Sequence, residues 1–156
     1  GFIENGKLLF EAHIHVSDTP GVSTVERVSR DFATKDETTD ICIIVEGKKV
    51  HVSKWALSMH SHAFKAMFHQ EFVEKNKREI ELQDVKHEDF ISFLNIVCGS
   101  IRDISDEIVE GALEIADRFQ AKFVLESLED YLIYNSKLLV TKKLILSDVY
   151  RLDILQ

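Results

Sequence analysis

Proline is nearly missing from this chain: its 156 residues include one, Pro20. It sits in Ser17-Asp18-Thr19-Pro20-Gly21, and that cluster of turn formers is the expected domain boundary. Cysteine is almost as scarce. Cys42 and Cys98 each lie inside an apolar run, ICIIV and FLNIVCG, so both are expected to be buried thiols. Two isolated thiols fit a reducing address, cytoplasm or nucleus, better than a disulfide-stapled scaffold; one Cys42–Cys98 bridge is the alternative. The lack of any Asn-x-Ser/Thr acceptor agrees with that address. Long apolar runs are absent as well. Nothing approaches the roughly 20 residues of a membrane span, and the start has no charged stretch leading into an apolar one.

Positive charge is in deficit, with 19 Lys and Arg against 27 Asp and Glu and a net charge of -8. A nucleic-acid-binding face needs clustered positive charge, so that class is disfavoured. Lys75, Lys77 and Arg78 are too few to make one and read as solubilising loop residues. Signatures of catalysis are lacking too. Gly47, Gly99 and Gly111 stand alone, outside any phosphate-binding, dinucleotide or nucleophile-elbow pattern. Carboxylates such as Glu126, Glu129 and Asp130 lie on what read as solvated helix faces. Of the seven histidines, His13-x-His15 and His60-x-His62 with His69 have suggestive spacings. The first pair has no supporting cluster beyond Glu11, and the second straddles a helix start, so its members diverge. No metal, cofactor or catalytic residue is expected.

What is present is a core. Hydrophobic residues make up 45% of the chain, enough for one domain and a fragment of a second. The opening GFIENGKLLF has no methionine and reads as the middle of something longer. Phe10, Ala12, Ile14 and Val16 alternate with Glu11, His13 and His15, the pattern of a half-buried strand, and Glu4-Asn5-Gly6 before it is a hairpin-type turn. Val22, Val25, Val28 and Phe32 recur at helical spacing, which predicts a short amphipathic helix over 22–33 with one narrow apolar stripe. Residues 34–39 form a polar linker. In DICIIVEGKKVHV, residues 40–52, two β-rich runs flank Glu46-Gly47-Lys48 and predict a hairpin whose first strand is covered on both faces.

Helices dominate from there on. Ser53 is the expected N-cap of KWALSMH and Ser61 that of HAFKAMFHQEF. Glu79-Ile80-Glu81-Leu82 alternates as a short strand. Phe90, Phe93, Leu94 and Val97 stripe a helix over 87–98 that Gly99 should stop. Ile108, Ala112, Ile115 and Phe119 predict a helix over 105–118, and Val124, Leu128, Tyr131 and Leu132 one over 121–134. Thr141 is the expected cap of a helix over 142–149, with another beginning near Arg151. Few strands early and helices late describe an α+β domain, a small mixed sheet on a helical cluster.

The order of these elements, together with their local residues, resembles a BTB/POZ domain. DICIIVEGKKVHVSKWALSMHSHAFKAMF carries an aspartate before the first strand, a Gly-Lys turn, and a helix running into Ser61-x-x-Phe64-x-x-Met67-Phe68. IELQDVKHEDFISFLNIVCG continues with a strand, an aspartate turn and a helix ending near glycine. ALEIADRFQAKFVLESLEDYL is similar to the family's closing helical pair, with Ala116, Asp117 and Phe119 at its signature positions. The resemblance covers residues 40–134. Two positions depart from the family: Ser53 stands where histidine is usual, which puts a charge pairing with Asp40 in doubt, and His62 stands where proline is usual. Residues 1–17 resemble the last strands of a MATH domain, 18–39 a linker with a dimerisation helix, and 135–156 the start of a C-terminal helical extension.

The resemblance implies a non-enzymatic dimeric adaptor that binds cullin-3 of a ubiquitin ligase. Substrate protein would be captured by a MATH domain mostly absent here, with neither nucleic acid nor membrane as partner. In cullin-binding members the loop after the second helix carries a hydrophobic-x-Glu motif, matched by Phe72-Val73-Glu74. Phe72 would anchor in the partner and Glu74 accept its hydrogen bonds; the residues alone favour the alternative, that Phe72 covers the domain's own core. Tyr134, Asn135 and the helices beyond would extend the cullin-facing cleft, or form a plain helical tail. Val25, Val28, Phe32 and Ala56 would make the dimer interface, the alternative being a helix lying on its own domain. A BTB scaffold that dimerises and recruits transcriptional co-regulators is the other function left open.

Overall fold

The computed structural model describes residues 3–4, 7–8, 30–71, 79–99 and 104–154. Two short strands, β1 (Ile3–Glu4) and β2 (Lys7–Leu8), pair antiparallel with Ile3 opposite Leu8 and Glu4 opposite Lys7, as the Asn5-Gly6 turn signal predicts. The alternating stretch 9–16 and the stripe positions Val22, Val25 and Val28 lie outside the described residues.

The domain proper begins with β3 (Ile41–Val45) and β4 (Lys48–Val52), antiparallel from Ile41↔Val52 to Val45↔Lys48. Glu46 and Gly47 join them with φ of 49° and 73°. Positive φ at both central residues is the type I′ geometry, whose twist matches the strands it joins. β5 (Glu79–Leu82) then adds parallel to β3, giving the order β4-β3-β5 in a mixed three-stranded sheet. Its alternation holds, with Ile80 and Leu82 buried and Glu79 and Glu81 exposed. On the outer face Lys49 and Glu79 pair at 2.6 Å across β3, but both are half-exposed and such pairs add little to stability.

Between β4 and β5 run α1 (Lys54–His60) and α2 (His62–Glu71). The two expected serine caps are in place. Ser53 Oγ accepts from the Ala56 N–H, and Ser61 Oγ from that of Phe64 at 3.1 Å. After β5 come α3 (His87–Val97), α4 (Val109–Arg118), α5 (Lys122–Tyr134) and α6 (Val140–Tyr150). Gly99, with φ of 92°, follows the end of α3 as predicted. The core is aromatic at its centre. Phe64 is fully buried, stacked on Phe119 at 4.4 Å between centroids, with the rings of Phe68, Phe90 and Phe93 around it.

Several local expectations are corrected. Residues 30–33 are not helical. Asp31 accepts from the Ala33 N–H and the Thr34 hydroxyl, a local side-chain turn that competes with helix, and Phe32 C=O accepts from the His51 N–H at 2.7 Å. Helix α4 starts at Val109 after a turn over 105–108, so Val109 is buried and Ile108 only half so. Helix α6 starts after Leu139 without a side-chain cap, leaving Thr141 inside it. No helix follows Arg151 among the described residues. Arg151 itself takes the left-handed conformation (φ 52°), and Leu152 turns back to be buried. Both cysteines are free; Cys42 is buried, but Cys98, at the end of α3, is exposed.

Candidate functional site: open faces of the helical layer

The N-terminal ends of two elements are held by carboxylates from elsewhere in the chain. Asp40 accepts from the Lys54 N–H at 2.7 Å, at the start of α1. Asp40 thus acts on the helix backbone. Glu46 Oε2 accepts from the His87 N–H at 2.9 Å, capping α3, whose own N-cap residue, Lys86, supplies no side-chain bond. These contacts fix the ends of α1 and α3 relative to the sheet.

Helix α1 turns Leu57 into the core and leaves Trp55 and Met59 outward, 72% and 63% exposed. They are one turn apart, so they form a single apolar face. Ala56 beside them is half-buried. It shares a crevice of about 20 Å³, room for no more than a water, with Phe32 and Arg30. Phe32 is 4% exposed and belongs to the domain's own core.

A second open face runs from the end of α5 along α6. Tyr134 is 76% exposed, and Asn135, the C-cap of α5, is exposed beside it. Leu139, Val140, Leu144, Ile145 and Val149 follow, all exposed. On α6 the last four spread over one half of the helix, with the exposed Thr141 and Asp148 between them, while Leu146 and Ser147 point inward. The sequence marks α6 as apolar without telling its two sides apart: a core stripe and an open stripe are written in the same residue types.

Of the residues expected to contact partners, the structure therefore places Phe32 and Ala56 together at one end and Tyr134 and Asn135 at another. Phe72, Val73, Glu74, Val25 and Val28 lie outside the described residues. The sequence reading assigned the helices after 135 to a partner-facing cleft but did not single out Trp55, Met59 or the exposed residues of α6. Helical spacing could have picked them out, but only a structure says which side of a helix is left uncovered.

A cavity of about 430 Å³ lies elsewhere, between the β5–α3 turn and α4. Glu46, Glu81, Asp84, Asp89 and Glu114 line it with Lys86, and its lining includes no serine, cysteine or histidine. Its walls are structural: Arg118 donates to the carbonyls of Gln83 and Asp84 at 2.8 and 2.7 Å. Among the described residues no group of three or more His, Cys, Asp or Glu is placed to hold a metal ion, and no helix is long and apolar enough to cross a membrane.

Comparison with known proteins gives these faces a context. A family profile described as the BTB/POZ domain matches residues 30–136. BTB and MATH domain-containing protein 36 of Caenorhabditis elegans is 36% identical over 156 residues, covering 99% of this chain and 48% of that protein. BTB and MATH domain-containing protein 38 of the same organism is 30% identical over 156 residues, covering 99% and 40%. The chain thus spans about half the length, or less, of these two curated relatives. Among solved structures, the BTB domain of zebrafish PATZ1 superposes with a TM-score of 0.51 at 17% identity, covering 60% of this chain and 75% of that one, a likeness of fold.

Proposed function

The chain belongs to the BTB/POZ family, and from that premise we propose that it is a non-enzymatic dimeric adaptor bringing cullin-3 to a protein substrate. A BTB domain is a protein-interaction module, so its work is done by the surfaces it leaves open. On this reading Phe72, Val73 and Glu74, with Tyr134, Asn135 and the outward side of α6, form the cullin-facing surface. Val25, Val28, Phe32 and Ala56 belong to the face against a second copy, and Trp55 and Met59 extend it. Substrate capture belongs to a MATH domain of which residues 1–17 are the last part, in keeping with the domain pairing in the relatives' names. The protein works in the cytoplasm or nucleus.

The observation that carries the reading is the sequence of the segment after α2. The helix runs to Glu71, and a hydrophobic residue, one spacer and a glutamate follow at once. An aromatic ring entering a partner's cleft gains roughly 1.5–3 kcal/mol of hydrophobic free energy. A neighbouring carboxylate adds orientation more than affinity. The exposed apolar run from Tyr134 to Val149 supports the same reading, since so much uncovered apolar surface marks an interaction site.

Capture on immobilised cullin-3 N-terminal region tests it. The unmodified chain should be retained. Phe72→Ala should weaken capture by about tenfold or more, as for a buried anchor, and Glu74→Ala should weaken it less. Undiminished capture by both variants contradicts the assignment.

A further inference from the structure

Helix α6 is tied down at both ends by carboxylates of the preceding domain. At its start, Asp106, in the turn before α4, accepts from the Lys137 N–H at 3.0 Å, the Ser136 hydroxyl at 2.6 Å and the Tyr131 hydroxyl at 3.1 Å. Lys143 of α6 donates back to the Ser136 carbonyl at 2.9 Å. At its far end Glu129 of α5, 3% exposed, accepts from the Ile154 N–H at 2.6 Å. The chain reaches that carboxylate by the left-handed turn at Arg151, which also buries Leu152 and lets its N–H bond the Ser147 carbonyl.

The apolar attachment of α6 is slender by comparison. Leu146 and Leu152 are the buried hydrophobic residues between 140 and 154, with Leu138 and Tyr150 packed partly buried against the core. Apolar burial gives attraction without direction, and the pair between Lys142 of α6 and Glu110 of α4 is half-exposed and adds little. The two carboxylates supply direction, because each grips a backbone N–H just outside the helix. A buried carboxylate is also a costly way to gain stability, and an apolar residue of similar volume is often as good or better. A buried carboxylate at position 129 fits a role in fixing geometry.

We propose that Asp106 and Glu129 are positioning residues that lock the rotation of α6, so that Val140, Leu144, Ile145 and Val149 present one fixed apolar face to the partner. This rests on the reading of that face as partner-binding, and the test separates the two. When only part of the population holds α6 in the competent orientation, apparent affinity falls by that fraction.

Amide hydrogen exchange and capture are measured on the unmodified chain and on Asp106→Asn, Glu129→Leu and Glu129→Gln. In the asparagine variant one oxygen becomes an N–H donor, so the Lys137 N–H and the Ser136 and Tyr131 hydroxyls can no longer all donate to this side chain, and the charge that strengthens those bonds is lost. The leucine variant removes the acceptor of the Ile154 N–H, whereas glutamine keeps an acceptor oxygen. Asp106→Asn and Glu129→Leu should each speed exchange over 140–150 by about tenfold or more while α3 and α5 keep their protection. Capture of the cullin-3 N-terminal region should weaken by a similar factor, and Glu129→Gln should restore both measures. Unchanged exchange in α6, or faster exchange with undiminished capture, overturns the proposal. If even the unmodified chain fails to capture, the adaptor reading falls, and selective release of α6 still upholds the two carboxylates as its locks.

Discussion

Ser61 donates its hydroxyl hydrogen to the backbone carbonyl of Phe119, 58 positions away, while the same oxygen accepts from the Phe64 N–H. One buried residue thus caps α2 and closes the end of α4. The junction between the first two helices and the junction between the closing pair are joined through it.

Replacing Ser61 by alanine removes the cap and strands a buried carbonyl. Loss of a cap and of a buried partner costs about 1–3 kcal/mol. Urea denaturation should show the midpoint falling with the slope unchanged. A midpoint equal to that of the unmodified chain contradicts the double role.

Phe64 and Trp55 should respond in opposite ways. Phe64→Ala empties the centre of the aromatic cluster and should cost about 3–5 kcal/mol, enough to unfold a marginal domain. Trp55→Ala should leave folding within about 0.5 kcal/mol, because the side chain stands in water. If α1 faces a second copy, Trp55→Ala should instead loosen the dimer, read as concentration-dependent sedimentation. A folded Trp55→Ala chain that dimerises as before removes Trp55 from that interface.

Gly47 isolates a backbone effect. No atom lies within 4 Å of where a Cβ would sit, so Gly47→Ala meets only the left-handed backbone penalty, about 1–2 kcal/mol. Thermal unfolding should show that loss with capture of the partner unaltered. A variant as stable as the original would contradict the I′ assignment of the hairpin.

Asp106 sets a pH response. Hydrogen bonds from Ser136 first, then from the Lys137 N–H and Tyr131, hold its carboxyl below the ordinary aspartate value despite some desolvation. A depressed folded value means that its contribution is complete above the ordinary aspartate pKa, about 3.9, and is lost as pH falls through the folded value. Protection of α6 should therefore hold from neutral pH down to about 5 and fall only below about 4. In Asp106→Asn the protection of the α6 amides should be low throughout this pH range. A loss of α6 protection centred near pH 6 would contradict the sign.

Much of this fold is written locally. Ser53, Ser61 and Gly99 announce helix ends because a cap needs only its own side chain or its own φ, and Glu46-Gly47 announces the hairpin for the same reason. The errors fall where distant groups decide. Nothing near 30–33 says that Phe32 will bond to His51 instead of extending a helix, and nothing near Arg151 says that Glu129 will catch the chain three residues later. The proposed partner surface is legible as composition, in Phe72-Val73-Glu74 and in the apolar residues of α6. Which side of α1 and α6 stays uncovered comes from the packing of the other helices, which no local pattern encodes.

Sedimentation velocity of the chain with and without the cullin-3 N-terminal region tests the adaptor account most directly. The account predicts a dimer alone, a larger complex when the cullin fragment is added at micromolar concentration, and loss of that complex in Phe72→Ala with the dimer intact. A chain that sediments identically with and without the fragment contradicts it.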